Sequence, residues 1–284
     1  MIEKTCLVTG ANTGIGYAIS LGLAKMGATV IMVCRNKPRG EAAMTELKKK
    51  SGNNSISLFI ADLSSQTSIR QLVTDFKTKF GKLDILINNA AVITQNRTLT
   101  EDGLETQFAL NHLAPFLLTE LLLDSLKTSD SARIINISSN AHQTVNINFD
   151  DLQSEQSYKP KEVYQRTKLC NLLFTYELAR QLNGTHITAN CVHPGVITTK
   201  LLRAYNGGKR DFNFISKLFY STPEKGAETS LYLASSSKLE GISGKYFDNK
   251  KIVNSSKYSN DLTVAKKLWQ ISQSLTMQER VTTK

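Results

Sequence analysis

No apolar run in this 284-residue chain approaches the roughly 20 residues needed to cross a bilayer, and no leader-like segment precedes the first strand-like stretch. These absences lead us to expect a cytoplasmic protein without a transmembrane segment. Cysteine is scarce: Cys6, Cys34, Cys170 and Cys191 follow no metal-type or redox-type spacing. Three of them fall in apolar strand-like runs, where reduced core thiols are expected. The histidines, His112, His142, His186 and His193, also lack ligand spacing, so no metal site is expected. His193, before Pro194, reads as a structural residue at a strand end. There is no short fixed repeat and no low-complexity tract, which excludes a solenoid. Acid is in deficit, with 24 Asp and Glu against 35 Lys and Arg, a net charge of +11. The excess is scattered, and its one tight run, Lys48-Lys49-Lys50, falls at an expected helix end where cations complement the helix dipole. Nothing has the pattern of a nucleic-acid reader, so no nucleic-acid partner is expected. Anionic small ligands remain compatible with this charge.

What the chain does contain is alternation. Apolar strand-like runs at Thr5–Thr9, Thr29–Cys34, Ile56–Ile60, Leu83–Ile87, Arg133–Ile137, Ile187–Val192 and Tyr246-Phe247 alternate with helix-periodic segments. The expected fold is α/β: one domain over residues 1–284, with a doubly wound, Rossmann-type sheet of seven parallel strands and helices on both faces. A less regular insertion at about 199–221 is rich in apolar residues and contains Gly207-Gly208. It either covers a bound substrate or packs onto the core.

The first strand leads into Gly10-Ala11-Asn12-Thr13-Gly14-Ile15-Gly16 and then a helix pattern. Strand, glycine turn and helix form a setting in which backbone N–H groups can hold a pyrophosphate. Between Gly27 and Glu41 there is no acidic residue, whereas an NAD site wants a carboxylate there for the ribose 2′-hydroxyl. Instead Arg35-Asn36-Lys37-Pro38-Arg39 carries three cations in five residues, which suits the 2′-phosphate of NADP. Further strands deliver Asp62-Leu63, where an adenine amine would find a partner, and Asn88-Asn89-Ala90-Ala91. Tyr164 and Lys168 lie four apart near the start of a long helical run, so they share a face. A cation beside a phenol favours phenolate, and Lys168 is therefore expected to lower the Tyr164 pKa into a usable range. Ser139 follows the Arg133–Ile137 strand and adds a hydroxyl. A hydroxyl, a phenol and a cation suit proton exchange with an alcohol or carbonyl oxygen while a cofactor carries the hydride.

Together these segments resemble the short-chain dehydrogenase/reductase family over nearly the whole chain. Thr9-Gly10-x-x-x-Gly14-Ile15-Gly16 matches its cofactor motif, and Asn88-Asn89-Ala90 matches its Asn-Asn-Ala-Gly motif except that Ala91 replaces the glycine. Asn111, Ser139, Tyr164 and Lys168 match its catalytic tetrad, and Pro194-Gly195 with Ile197 and Thr199 matches its nicotinamide-side motif. The resemblance implies that Tyr164 is the acid/base, that Ser139 positions the substrate oxygen and that Ser138 is its structural neighbour. It implies that Lys168 holds the nicotinamide ribose and that Asn111 holds a water joining Lys168 to solvent protons. Gly10, Asn12, Thr13, Gly14, Ile15, Gly16, Arg35, Asn36, Asp62, Leu63, Asn89, Ala90, Pro194, Gly195, Ile197 and Thr199 would contact NADP, together with Tyr164 and Lys168. Cys34-Arg35-Asn36, Asn140-Ala141-His142, His193-Pro194-Gly195 and Leu268-Trp269 look most like the retinol-dehydrogenase-like branch, whose members often use NADP on retinoids, lipid aldehydes or other apolar carbonyls. A small apolar carbonyl or alcohol is thus the expected substrate, with peripheral membrane contact and homo-oligomers left open. Two other readings stay open: a catalytically silent NADP sensor and a carbon–carbon double-bond reductase.

Overall fold

Runs of Val, Ile and Leu bounded by Gly, Asn and Asp form the strands, and the 3.6-periodic segments between them form the helices. The structure, a computed structural model, describes residues 1–197, 200–205 and 221–277. Its strands are β1 (Thr5–Thr9), β2 (Thr29–Cys34), β3 (Ile56–Ile60), β4 (Ile85–Asn88), β5 (Ala132–Ile137), β6 (Ile187–His193), β7 (Tyr246–Asp248) and β8 (Lys251–Val253). Its helices are α1 (Gly14–Lys25), α2 (Lys37–Ser51), α3 (Gln66–Lys79), α4 (Thr106–Phe108), α5 (Ala114–Lys127), α6 (Pro160–Gln181), α7 (Lys200–Tyr205), α8 (Pro223–Ser235) and α9 (Leu262–Met277).

The strands form one sheet in the order β3-β2-β1-β4-β5-β6-β7-β8. All pairings from β3 to β7 are parallel, as expected. The sheet differs from expectation at one edge, where an eighth strand, β8, runs antiparallel to β7. A two-residue turn, Asn249-Lys250, joins them with φ of 47° and 64°. Two successive left-handed residues are the conformation that a tight hairpin requires. All three β8 residues are exposed, so no apolar alternation marked the strand in the sequence.

Side chains alternate across the sheet. In β1, Leu7 joins a core with Ile69, Phe76, Leu117, Phe174 and Trp269, from α3, α5, α6 and α9. Cys6 and Val8 face the opposite core, with Ile19, Leu47 and Leu233 from α1, α2 and α8. Trp269 meets the Phe116 ring edge-on at 4.9 Å, as a packing anchor would. The four cysteines are free and buried. Among the described residues, no helix is long and apolar enough to cross a membrane.

At the amino edge of the sheet the wholly buried Asp84 fastens several segments. It accepts from the Thr5 N–H at 2.9 Å, Lys4 Nζ at 2.9 Å and Ser129 Oγ at 2.6 Å. Burial pushes this carboxyl up, but Ser129, Lys4 and the Thr5 N–H together hold it below its ordinary value. The opposite, carboxyl edge is the one that open α/β sheets use for ligands.

Candidate active site

The turn leaving β1 is shaped by glycine. Gly10 and Gly14 have φ of 65° and 57°, a region that side-chain-bearing residues avoid. A Cβ on Gly16 would lie 2.3 Å from Gly10 O and 2.5 Å from Asn89 Nδ2, so the turn and the end of β4 close only around a missing side chain. Asn89 braces this turn, with Nδ2 donating to Thr9 O at 2.8 Å. Thr9 Oγ1 accepts from the N–H groups of Asn89 and Ala90 at 2.9 and 3.0 Å. Asn12, Ile15 and Ala90 are half-buried here, and Thr13 is exposed. Thr13 caps α1 with no side-chain hydrogen bond, and the first turn has no acidic residue. The N–H groups at this helix start are thus open to an anion, and the donor set fits a diphosphate.

Beyond β2, Asn36 Oδ1 accepts from the Arg39 N–H at 3.0 Å and caps α2. Arg35 Nη1 lies 3.5 Å from Asp62 Oδ2, with the two side chains 73% and 38% exposed. Asp62 also accepts from the Ser64 hydroxyl and N–H at 2.6 and 2.9 Å. Burial raises the Asp62 pKa, while Ser64 and then Arg35 bring it below its ordinary value. Leu63 turns its side chain into the core, leaving its backbone for any contact in the crevice.

On the other side, α6 carries Tyr164 and Lys168 on one face, only 8% and 2% exposed. Lys168 Nζ lies 5.3 Å from the centre of the Tyr164 ring and donates to Ile137 O at 3.0 Å, where β5 ends. Here the structure corrects the sequence expectation. The Tyr164 phenol is pushed up rather than down, first by burial and then by Tyr205 beside it. Burial also lowers the Lys168 ammonium to about 8. Desolvation penalises both charged forms.

Ser138 and Ser139 differ in burial and in bonding. Ser138 is buried and donates to Lys168 O at 2.8 Å, whereas the half-buried Ser139 Oγ, among the described residues, accepts only from the Ala141 N–H, at 3.2 Å. Asn111 lies within a π-helical turn, Ala109–Leu113, inserted between α4 and α5. Its Oδ1 accepts from the Val92 N–H at 2.8 Å, and Nδ2 donates to Val92 O at 2.9 Å and to Thr167 Oγ1 at 3.2 Å. Thr167 in turn donates to Tyr164 O at 2.7 Å. Both amide hydrogens of Asn111 are taken by protein, so its side chain braces α6. Wide π turns recur at functional sites.

β6 is followed by Pro194 and Gly195, the latter with φ of 87°. Ile197 is buried and pairs with Ser221 in an isolated bridge, which joins the two ends of the insertion. Thr199 lies outside the described residues, as does most of the insertion. Its described part, α7, meets the site: the Tyr205 ring sits 5.7 Å from the Tyr164 ring, edge-on at 68°. Beside this pair opens a cleft of about 880 Å³ lined by Gln95, Val145, Pro160, Lys161, Gln165 and Tyr205. Sequence reasoning did not single out Gln95 or Lys161, and no local spacing marks either. Gln95 reaches the cleft by donating to Ala204 O, 109 positions away, at 2.7 Å.

A family model described as short chain dehydrogenase matches residues 4–209. Human retinol dehydrogenase 14 is 44% identical over 96% of this chain and 86% of its own length. Human polyprenol dehydrogenase is 38% identical over 96% of this chain and 85% of its own length. Among solved structures, a Mycobacterium paratuberculosis protein of uncharacterised function superposes with a TM-score of 0.80 at 32% identity, covering 98% of this chain and 95% of its own.

Proposed function

This chain belongs to the short-chain dehydrogenase family, and on that premise we propose that it uses NADP(H) to interconvert an apolar, retinoid-like or polyprenol-like alcohol and its carbonyl, with Tyr164 exchanging the proton. It is an oxidoreductase acting on CH–OH groups, and it takes a nicotinamide cofactor. The observation that carries the finer reading is the buried Tyr164–Lys168 pair, set across the crevice from an uncapped helix start.

When bound, the nicotinamide supplies or accepts the hydride. The N–H groups at the start of α1 would hold the diphosphate, with Asp62 serving the adenine and Lys168 the nicotinamide ribose. The remaining backbone of Asn12–Gly16, Asn36, Ala90 and Pro194–Ile197 would line the cofactor's path. Arg35 supports NADP over NAD: its partner Asp62 is well exposed, and an exposed ion pair is weak enough to be exchanged for a 2′-phosphate. Ser139 would orient the substrate oxygen. A buried phenol that keeps its proton is set to donate it to the oxygen of a carbonyl as that oxygen gains charge. The contact of Tyr205 with Tyr164, and the bridge closing the insertion at Ile197 and Ser221, support its covering the substrate.

The test is a turnover screen with NADPH and NADH against retinal, a long-chain polyprenal, a small aldehyde and an enone. Carbonyl reduction of the long apolar substrates with NADPH is expected. Reduction confined to the enone double bond, equal use of NADH, or no turnover at all would overturn the reading.

A further inference from the structure

Ser139 sits at the start of a short 3-10 turn, Asn140–Thr144, and this turn is gripped from three directions. His142, wholly buried, uses both ring nitrogens: Nδ1 is 2.6 Å from Ser139 O, and Nε2 is 3.1 Å from the Ser256 N–H. A carbonyl oxygen only accepts and a backbone N–H only donates. The ring is therefore a neutral imidazole with its proton on Nδ1 and its lone pair toward Ser256. The ring packs edge-on against Tyr246 of β7, 5.2 Å away at 82°. Tyr246 donates its hydroxyl to Asn140 Oδ1 at 2.7 Å, and the Asn140 N–H points at His193 Nδ1 of β6 at 3.4 Å. Among the described residues the Ser139 hydroxyl has only a bond from within the turn, so its position is set by the backbone that His142 holds.

We infer that His142 is a positioning residue for the reaction: it ties the backbone of Ser139 to the segment between β8 and α9 and so fixes where the Ser139 hydroxyl meets the substrate oxygen. The inference rests on the reading of Ser139 given above. Local sequence does not suggest such a link, since Ser256 lies 114 positions beyond His142.

A double-mutant cycle tests it, with wild type, Ser139→Ala, His142→Ala and the double variant assayed on the best substrate and NADPH. Loss of the buried hydrogen bond to Ser139 O, together with that from the Ser256 N–H, should lower kcat about tenfold in His142→Ala, with NADPH affinity by fluorescence titration unchanged. In the Ser139→Ala background the same change should have almost no further effect, because the group being positioned has gone. His142→Asn, whose amide can still donate to Ser139 O, should recover part of the loss. It also takes the place of His142→Ala in the cycle if that variant does not fold. Losses that multiply in the double variant, or NADPH affinity falling in step with kcat, would mark His142 as merely structural and overturn the inference while leaving the reading of Ser139 standing. Unchanged kcat in Ser139→Ala alone would overturn that reading and the inference with it.

Discussion

Two buried charges sit at opposite edges of one sheet, and the fold treats them differently. At the amino edge Asp84 is surrounded by Lys4, the Thr5 N–H and Ser129, and its ionised form is favoured despite burial. At the carboxyl edge Lys168 has Ile137 O as its acceptor, and burial lowers its pKa to about 8. A charge that only fastens strands is given partners until ionisation is favourable. A charge that has to meet a group brought from outside is left short of partners, and in the proposed role that shortfall is what the cofactor ribose would fill.

The sharpest way to break this contrast is at Tyr164. Tyr164→Phe keeps the ring and its packing but removes the proton, so kcat should fall about 10²–10⁴-fold. The thermal midpoint should barely move. Retained turnover would make the carboxyl edge as structural as the other. The next largest effect belongs to the amino edge. Asp84→Ala should lower stability in urea by about 2–3 kcal/mol, because the Thr5 N–H and the Ser129 hydroxyl lose their acceptor. Lys4, already 35% exposed, can return to water, and kcat of the folded protein should be unchanged. The folded pKa of Asp84 is depressed, so its contribution is fully present above its unfolded value near 3.9 and is lost as pH falls through the lower folded value. A variant as stable as wild type at pH 7 and at pH 3 would show that the bonds contribute nothing.

Within the carboxyl edge, Arg35→Asp contrasts an exposed charge with the buried one. It should shift preference from NADP toward NAD by roughly tenfold, the value of one charge-assisted contact, without changing kcat. Unaltered ratios of kcat/KM would remove Arg35 from cofactor selection. The smallest effect concerns the stability cost of Lys168. Lys168→Met should weaken cofactor binding yet raise the thermal midpoint of the cofactor-free protein at pH 7 by a few degrees. The sign follows from protons bound. Between the folded value of about 8 and the unfolded value near 10.4, the unfolded chain holds more protons. Wild type should therefore gain stability over that window, and its gap to the variant should close. A gap that widened with pH would show that Lys168 is stabilised where it sits.

β1, β2 and β3 begin and end where the apolar runs in the sequence do, because glycine and polar residues bound each of them. The Gly10–Gly16 turn and the shared helix face of Tyr164 and Lys168 were also legible, since each is carried by spacing within a few residues. β8 was not, having three exposed residues and no alternation. The helical segment that contains Asn111 is interrupted by the π turn, which side-chain periodicity over so short a span does not reveal. The error over Tyr164 has the same root: adjacency of a lysine is visible in sequence, whereas burial of both groups is a property of the packed fold. The Arg35–Asp62 pair and the His142–Ser256 bond join distant positions that no local pattern connects.

The strand order has a consequence in time. β1 precedes both of its neighbours in the chain, β2 and the much later β4. The ion pair that closes the second of these joints links Lys4 to a residue 80 positions further on. A ribosome adding about 5–20 residues per second takes roughly 4–16 s to cover that distance. Throughout that interval the β4-facing edge of Cys6, Leu7 and Val8 carries unpaired backbone groups beside apolar side chains, the kind of edge that recruits other strands. A segment that will become an interior strand of the sheet thus keeps an open edge during synthesis, until Ile85–Ile87 arrive to pair with it.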